Sequence, residues 1–501
     1  MGQVAYGSRE GRGILVATIV ASGIAFLDQT IVNVALPVIG RSLGTGLAGL
    51  QWTVDAYLLT LTAFLLPAGA LGDRVGRRRV FLFGLVSFAV ASALCGLAPG
   101  PRGLVLARAV QGLAAALLVP GSLAILRASF RPEDAARAVG TWAGLSGVST
   151  ALGPLAGGWL AEAFSWRAIF FVNAPLAAIA LRAALRHVPE SRDPGRGGVD
   201  VAGAALAAVG LGGVVLALIE GGARGAGRAA WLAGGAGVAA LAALLAVEAR
   251  RRDPMLPLSL FAARTFSAVN GVTLAVYFAL GGAAFLAVLQ LQVGLGWSPL
   301  AAGAALTPLT LLVLALSPVA ARLCVRAGPR PLLVGGPLVC AAGLALLARV
   351  DAGARYAADV LPGVAALGIG LGLTVAPLTT AVLEAAPPER AGIASAVNNA
   401  VARLAGLLAV AALPLAGGIS AAHLAQGTLG PGYRRAMLLA TAVAALGGVV
   451  AAATLAPTPA ARPRARGAPA GGRPAPLPAP RDRTPPPPRA PGAPPGSLPR
   501  G

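Results

Sequence analysis

The chain contains no lysine, so each of its 40 basic residues is an arginine, and nearly every other polar or reactive side chain is sparse as well. Asp and Glu together number 18, and charged residues make up only 12% of 501 positions. So little charge cannot cover the surface of a water-soluble protein of this size. Three cysteines, Cys95, Cys324 and Cys340, lie scattered in or beside apolar runs, and two histidines, His187 and His423, stand apart. That set supplies neither a disulfide framework nor metal-ligand spacing. The pI near 11.7 would suit nucleic acid, but aromatics are only 5% and the arginines sit in short loops between apolar segments, so no nucleic-acid partner is expected. No catalytic triad, phosphate-cradling glycine loop or nucleotide motif is found. Neither an enzyme nor an ATP-driven pump is expected.

Apolar length is what the chain has in abundance. It is 56% hydrophobic with 68 glycines and a mean hydropathy of +0.77. A bilayer core takes about 20 apolar residues per helix, and fourteen stretches between residues 13 and 456 supply that length. The fold expected is an all-α integral membrane protein. With the N-terminus inside, 21 arginines of the short loops fall on the inner side and 9 on the outer. Cytoplasmic loops retain positive charge, so both termini are placed in the cytoplasm of a multi-pass plasma-membrane protein. The first apolar stretch carries Asp28 in its middle and lacks a small-residue cleavage site, so it reads as a retained span.

An internal repeat divides the chain. Ala321 to Arg330 echoes Gly69 to Arg78, keeping the Leu, Arg, Gly and Arg positions and replacing Asp73 with Val325. Gly153 follows Arg137 at the same spacing as Gly406 follows Arg390, each after a loop containing Pro-Glu, Pro132-Glu133 and Pro388-Glu389. The organisation predicted is a cytoplasmic N-terminus over 1–12, a six-helix bundle over 13–186, an inserted helix pair over 198–249 and a second six-helix bundle over 266–456. Residues 457–501 hold 16 prolines, eight arginines and one aspartate, a composition that cannot bury a core and predicts a disordered cytoplasmic tail.

Four motifs stand out. Gly69-Ala-Leu-Gly-Asp73-Arg74-Val-Gly76-Arg77-Arg78-Arg79 links the second and third spans, and Arg108-Ala-Val-Gln111-Gly112 lies in the fourth. The fifth span carries Gly140, Gly153-Pro154 and Gly157-Gly158, with Ser149 between. The first span holds Leu27-Asp28-Gln29-Thr30-Ile-Val-Asn33-Val-Ala-Leu-Pro37, and Trp166-Arg167 through Phe170, Asn173 and Pro175 open the sixth. Together they resemble the major facilitator superfamily, specifically its 14-helix drug:proton antiporters, over residues 10–456. The resemblance implies that superfamily's fold, two six-helix bundles with two additional helices. It also implies proton-coupled export of hydrophobic, cationic or amphipathic compounds. No cofactor beyond the proton gradient is expected, and the partners are a small-molecule substrate, protons and the lipid bilayer, with the monomer as the working unit. Other cargo (an amino acid, a lipid or a self-made natural product) or a non-transporting sensor on the same fold remain alternatives.

Physical chemistry gives each motif a reason. The turn from Gly69 to Arg78 needs glycine for tight backbone, and Asp73 is expected beside the positive start of the third helix. In the family this Asp and Arg pattern helps latch the two halves. Asp28, mid-membrane, is a candidate proton carrier or substrate counter-charge; the alternative is a carboxylate held by Thr30 or Asn33. Arg108 should face the interior and meet Gln111 or backbone carbonyls, and the resemblance implies a coupling role. Asp55, Asn33, Asn398, Asn399 and Arg403 are candidates for the cavity. The small residues of the fifth span allow close helix contact and are expected to seal it, while the inserted pair is expected at the periphery.

Overall fold

The computed structural model describes residues 3–193, 200–224, 227–251, 254–387 and 390–455. The tail over 457–501 and the Pro388-Glu389 loop lie outside these. Fourteen long helices run through the described residues. The first six are α1 (Arg9–Leu43), α2 (Leu47–Val75), α3 (Arg77–Leu97), α4 (Pro101–Ser129), α5 (Pro132–Ala163) and α6 (Asn173–His187). Two follow as an inserted pair, α7 (Val201–Arg224) and α8 (Arg228–Arg250). The last six are α9 (Arg264–Leu289), α10 (Pro299–Ala327), α11 (Arg330–Leu347), α12 (Leu361–Glu384), α13 (Ala391–Gly417) and α14 (Gly430–Thr454). Thirteen are long and apolar enough to cross a membrane, counting with α6 the helical turn Ala168–Phe171 just ahead of it. The exception is α5, whose 32 residues are long enough but whose glycine, serine and threonine displace the aliphatics that would raise its hydropathy.

Local chemistry sets the helix ends. Ser8 caps α1 by accepting from the Gly11 N–H at 2.9 Å, and prolines open α4, α5 and α10, where a missing N–H costs nothing. The linker between α2 and α3 is much shorter than the sequence suggests. Both helices run on until a single residue, Gly76, separates them at φ +128°, a backbone conformation that a side chain would strain. Gly328 plays the same part between α10 and α11 at φ +77°. The Gly76 N–H bonds the Gly72 carbonyl and the Gly328 N–H bonds that of Cys324, so the sequence repeat is also a repeat of geometry.

Packing follows the two halves. Within the first, α1 lies on α5 and α2 on α4; within the second, the equivalent pairs are α9 on α13 and α10 on α12. The halves meet along α5 with α10 and α2 with α13. Of the inserted pair, α7 packs on both α2 and α13, so it bridges the halves. α8 instead packs on α7 alone to any extent, through Gly210, Gly213 and Gly237, and turns Trp231, Leu232, Val238 and Leu245 outward. Asp200 fixes the base of the pair, accepting from the Gly203 N–H at 2.7 Å and pairing with Arg251 at 2.6 Å.

Every hydrogen bond between the halves made by described residues lies at the end away from Gly76. Gln51 Nε2 of α2 donates to the Val410 and Ala411 carbonyls of α13, and Gln292 Nε2, in the π turn that follows α9, donates to the Val34 carbonyl of α1. The Leu300 N–H of α10 donates to Glu162 Oε2 of α5. Toward the Gly76 end, positions Gly140, Gly144 and Gly147 of α5 have nothing within 4 Å of where a Cβ would stand. The cleft between the halves is closed at one end and open at the other.

Candidate functional site

Within the first half, side chains from five of its helical segments converge on one buried charged point. Asp28 of α1 is 0% exposed and pairs through Oδ2 with Nη1 of Arg108 on α4, itself 1% exposed. The same Nη1 donates to Gln111 Oε1 at 2.7 Å, and Arg108 Nε donates to the Thr53 carbonyl of α2 at 3.0 Å. Gln111 Nε2 returns a bond to Asp28 Oδ1 at 2.8 Å. Asn173 Nδ2 reaches that oxygen at 3.2 Å and Ser92 Oγ at 2.9 Å. The Tyr57 ring lies 4.3 Å beneath the guanidinium. An ion pair in low dielectric repays its desolvation only when the remaining lone pairs and protons are also bonded, and here both carboxylate oxygens are.

This network joins Asp28, Arg108 and Gln111, but neither Thr30 nor Asn33 holds Asp28. Thr30 bonds the Phe26, Leu27 and Thr150 carbonyls, and Asn33 Oδ1 is buried without a partner. Thr53, Tyr57, Ser92 and the role of Asn173 are additions that sequence reasoning missed. Asn173 had a signal in its place after Phe170, because the break between the helical turn Ala168–Phe171 and α6 sets it at the head of a new helix. Ser92 and Tyr57 had none, being ordinary residues of apolar helices.

The other cavity candidates lie apart from this network. Asp55 is fully buried, one turn from Gln51, and neither of its carboxylate oxygens has a hydrogen-bond partner. Asn398 Nδ2 donates to Asn270 Oδ1 and Thr273 Oγ1 inside the second half. Asn399 is exposed and bonds only the Ser395 carbonyl of its own helix, and Arg403 is half-buried. A cavity of about 600 Å³ opens at the closed end, lined by Gln51, Trp52, Arg102, Glu220 and Pro414; neither Asp28 nor Arg403 lines it.

Two carboxylates meet at the turn around Gly76. Asp73 belongs to the last turn of α2 and pairs at 2.8 Å with Arg77, the first residue of α3, so it reaches the start of that helix through a side chain. That helix end faces Glu190, whose Oε1 accepts from the Arg78 N–H at 3.2 Å and stands where a Cβ on Gly76 would go. A carboxylate there meets the positive end of the helix. Arg78 Nη2 bonds the Leu185 carbonyl, Arg74 points to solvent, and Gly69 lies against Pro120.

The small face of α5 is divided. A Cβ on Gly153 would collide with Thr30, one on Gly157 with the Ile31 backbone, and one on Gly158 with Pro299 and Leu300 of α10. Pro154 sits where its carbonyl meets Gly303 of α10, and Ser149 fits against Gly23. Gly140 faces open space, so close packing belongs to the closed end alone.

Two helical halves around a cleft closed at one end, with a buried charge network in one of them, define a multi-pass membrane transporter. Residues 18–410 match the Major Facilitator Superfamily, and the chain belongs to it. It is 36% identical to the multidrug resistance protein Stp of Mycobacterium tuberculosis over 84% of this chain and 78% of that one. It is 36% identical to the puromycin resistance protein of Streptomyces alboniger, over 87% and 90%. It is 35% identical to the tetracenomycin C resistance and export protein of Streptomyces glaucescens, over 80% and 74%. Among solved structures, a peptide transporter in complex with sulfate superposes with a TM-score of 0.66 at 14% identity, covering 90% of this chain and 96% of its own.

Proposed function

We propose that the protein is a proton-coupled exporter of hydrophobic compounds, working as a monomer in the plasma membrane with both termini in the cytoplasm. In that orientation the open end of the cleft faces the cytoplasm, ready to load cargo. The observation that carries the reading is the buried Asp28–Arg108 pair, which links α1 and α4 and, through the Thr53 carbonyl, α2. A proton arriving on Asp28 removes the counter-charge of Arg108, which must then find another partner. That shift biases the packing of three helices and thereby the balance between the two cleft states. The names of the relatives favour export over uptake. The tetracenomycin exporter among them favours, as a second reading, a natural product of the producing cell as cargo.

The test uses purified protein in proteoliposomes, with puromycin among the trial compounds. Cargo should release protons from the protein, and a proton gradient should drive accumulation that an uncoupler abolishes. Accumulation indifferent to the uncoupler would remove the coupling, and no accumulation of any compound would remove the exporter reading.

A further inference from the structure

The charges in the middle of the membrane are distributed unevenly. Asp28 and Arg108 neutralise one another and are sealed from the cleft, and Asp55 is wholly buried without an ion pair. Arg403 is the remaining one, about midway along α13. It is half-buried, and among the described residues it has no ion pair and no hydrogen bond. Its helix, α13, packs against α2 across the halves and against α9, the helix of Tyr277. Tyr277 is itself only partly buried, and Asn399, one helical turn away on the open side, is exposed. On α1, Gln29 is half-exposed and makes no hydrogen bond among the described residues.

A guanidinium at mid-membrane is costly unless it meets water, a counter-ion or aligned acceptors. Among the described residues no carboxylate pairs with Arg403, so the accessible mid-membrane charge is positive. A positive fork with five donors suits a planar acidic group, and a carboxylate or ionised phenol matches it in charge and shape. Asp28, the residue that would attract a cation, is already paired and out of reach.

We propose that Arg403 recognises an acidic group, a carboxylate or phenolate, carried on the apolar body of the exported compound. This rests on the exporter reading for its setting and narrows the cargo to amphipathic acids. The probes are 1-pyrenebutyrate, its methyl ester and a pyrenebutyl trimethylammonium salt, titrated by fluorescence against purified protein in neutral detergent. A charge-assisted hydrogen bond supports a preference of about tenfold for the carboxylate over the ester. Arg403→Gln should bind all three probes alike, and Arg403→Lys should keep part of the preference. Retained ester binding shows that the Gln variant is folded; should it not fold, the wild-type ratios and the Lys variant still decide. Equal binding of acid and ester by the wild type, a preference for the cation, or an acid preference surviving Arg403→Gln would overturn the proposal. Probe efflux from vesicles is scored separately. Acid preference without efflux removes the exporter reading alone, and efflux without acid preference removes the role of Arg403 alone.

Discussion

Asp28 and Arg108 are each tolerable inside the membrane only because of the other. Removing one member of a buried pair leaves an uncompensated charge, at a cost of about 3–5 kcal/mol. Asp28→Asn and Arg108→Gln should therefore each lower stability by about that amount, while the double variant recovers most of the loss because its polar groups are neutral. Thermal unfolding in detergent measures the cycle. Additive losses would mean that the two side chains act independently, against the 2.5 Å contact between them. Transport should be lost in all three variants if the proposed coupling holds, since none retains both the carboxylate and the guanidinium of the pair. Asp55 makes a useful contrast, because its carboxylate has no partner to orphan.

At the scale of the helix, α5 and α8 show that glycine content alone does not report a role. Gly157 lies on α5 where an added Cβ would meet the Ile31 carbonyl at 2.7 Å, while Gly235 of α8 has nothing within 4 Å. A backbone neighbour cannot rotate away, so bulk at Gly157 must separate α1 from α5, an overpacking cost of about 1–3 kcal/mol or more. Gly157→Leu should abolish export at matched membrane abundance, and Gly235→Leu should leave it near normal. Immunoblots set the abundance and vesicle accumulation reads the effect. Equal tolerance at both positions would detach α5 from the seal.

For the molecule as a whole, the closed end is held by few groups: Gln51, Gln292 and Glu162, together with the α5–α10 contact at Gly158 and Gly303. A transporter that alternates must break these contacts in every cycle. The paired substitution Gln51→Cys and Ala411→Cys, joined by a short reducible cross-linker, should stop transport, and reductant should restore it. Cys95, Cys324 and Cys340 are buried and free, so they compete little for the reagent. Undiminished transport by the cross-linked protein would mean that this end does not open. The bridging position of α7 on α2 and α13 also gives the inserted helix pair a place in this motion.

The membrane class, the repeated halves and the identities of Asp28, Arg108 and Gln111 were determined by the sequence alone, because apolar length, glycine spacing and rare intramembrane charge are written residue by residue. The equivalence of Gly76 and Gly328 was legible for the same reason, since a positive φ demands glycine wherever the chain folds back. What the tertiary structure decided is which charges find partners. Whether Asp28 is neutralised by Arg108, whether Glu190 joins Asp73 at the start of α3, and whether Arg403 is left without a partner among the described residues depend on helices far apart in the chain. A charge-assisted hydrogen bond forms only when donor and acceptor come within about 3 Å, so only the packed arrangement of helices can assign the partners.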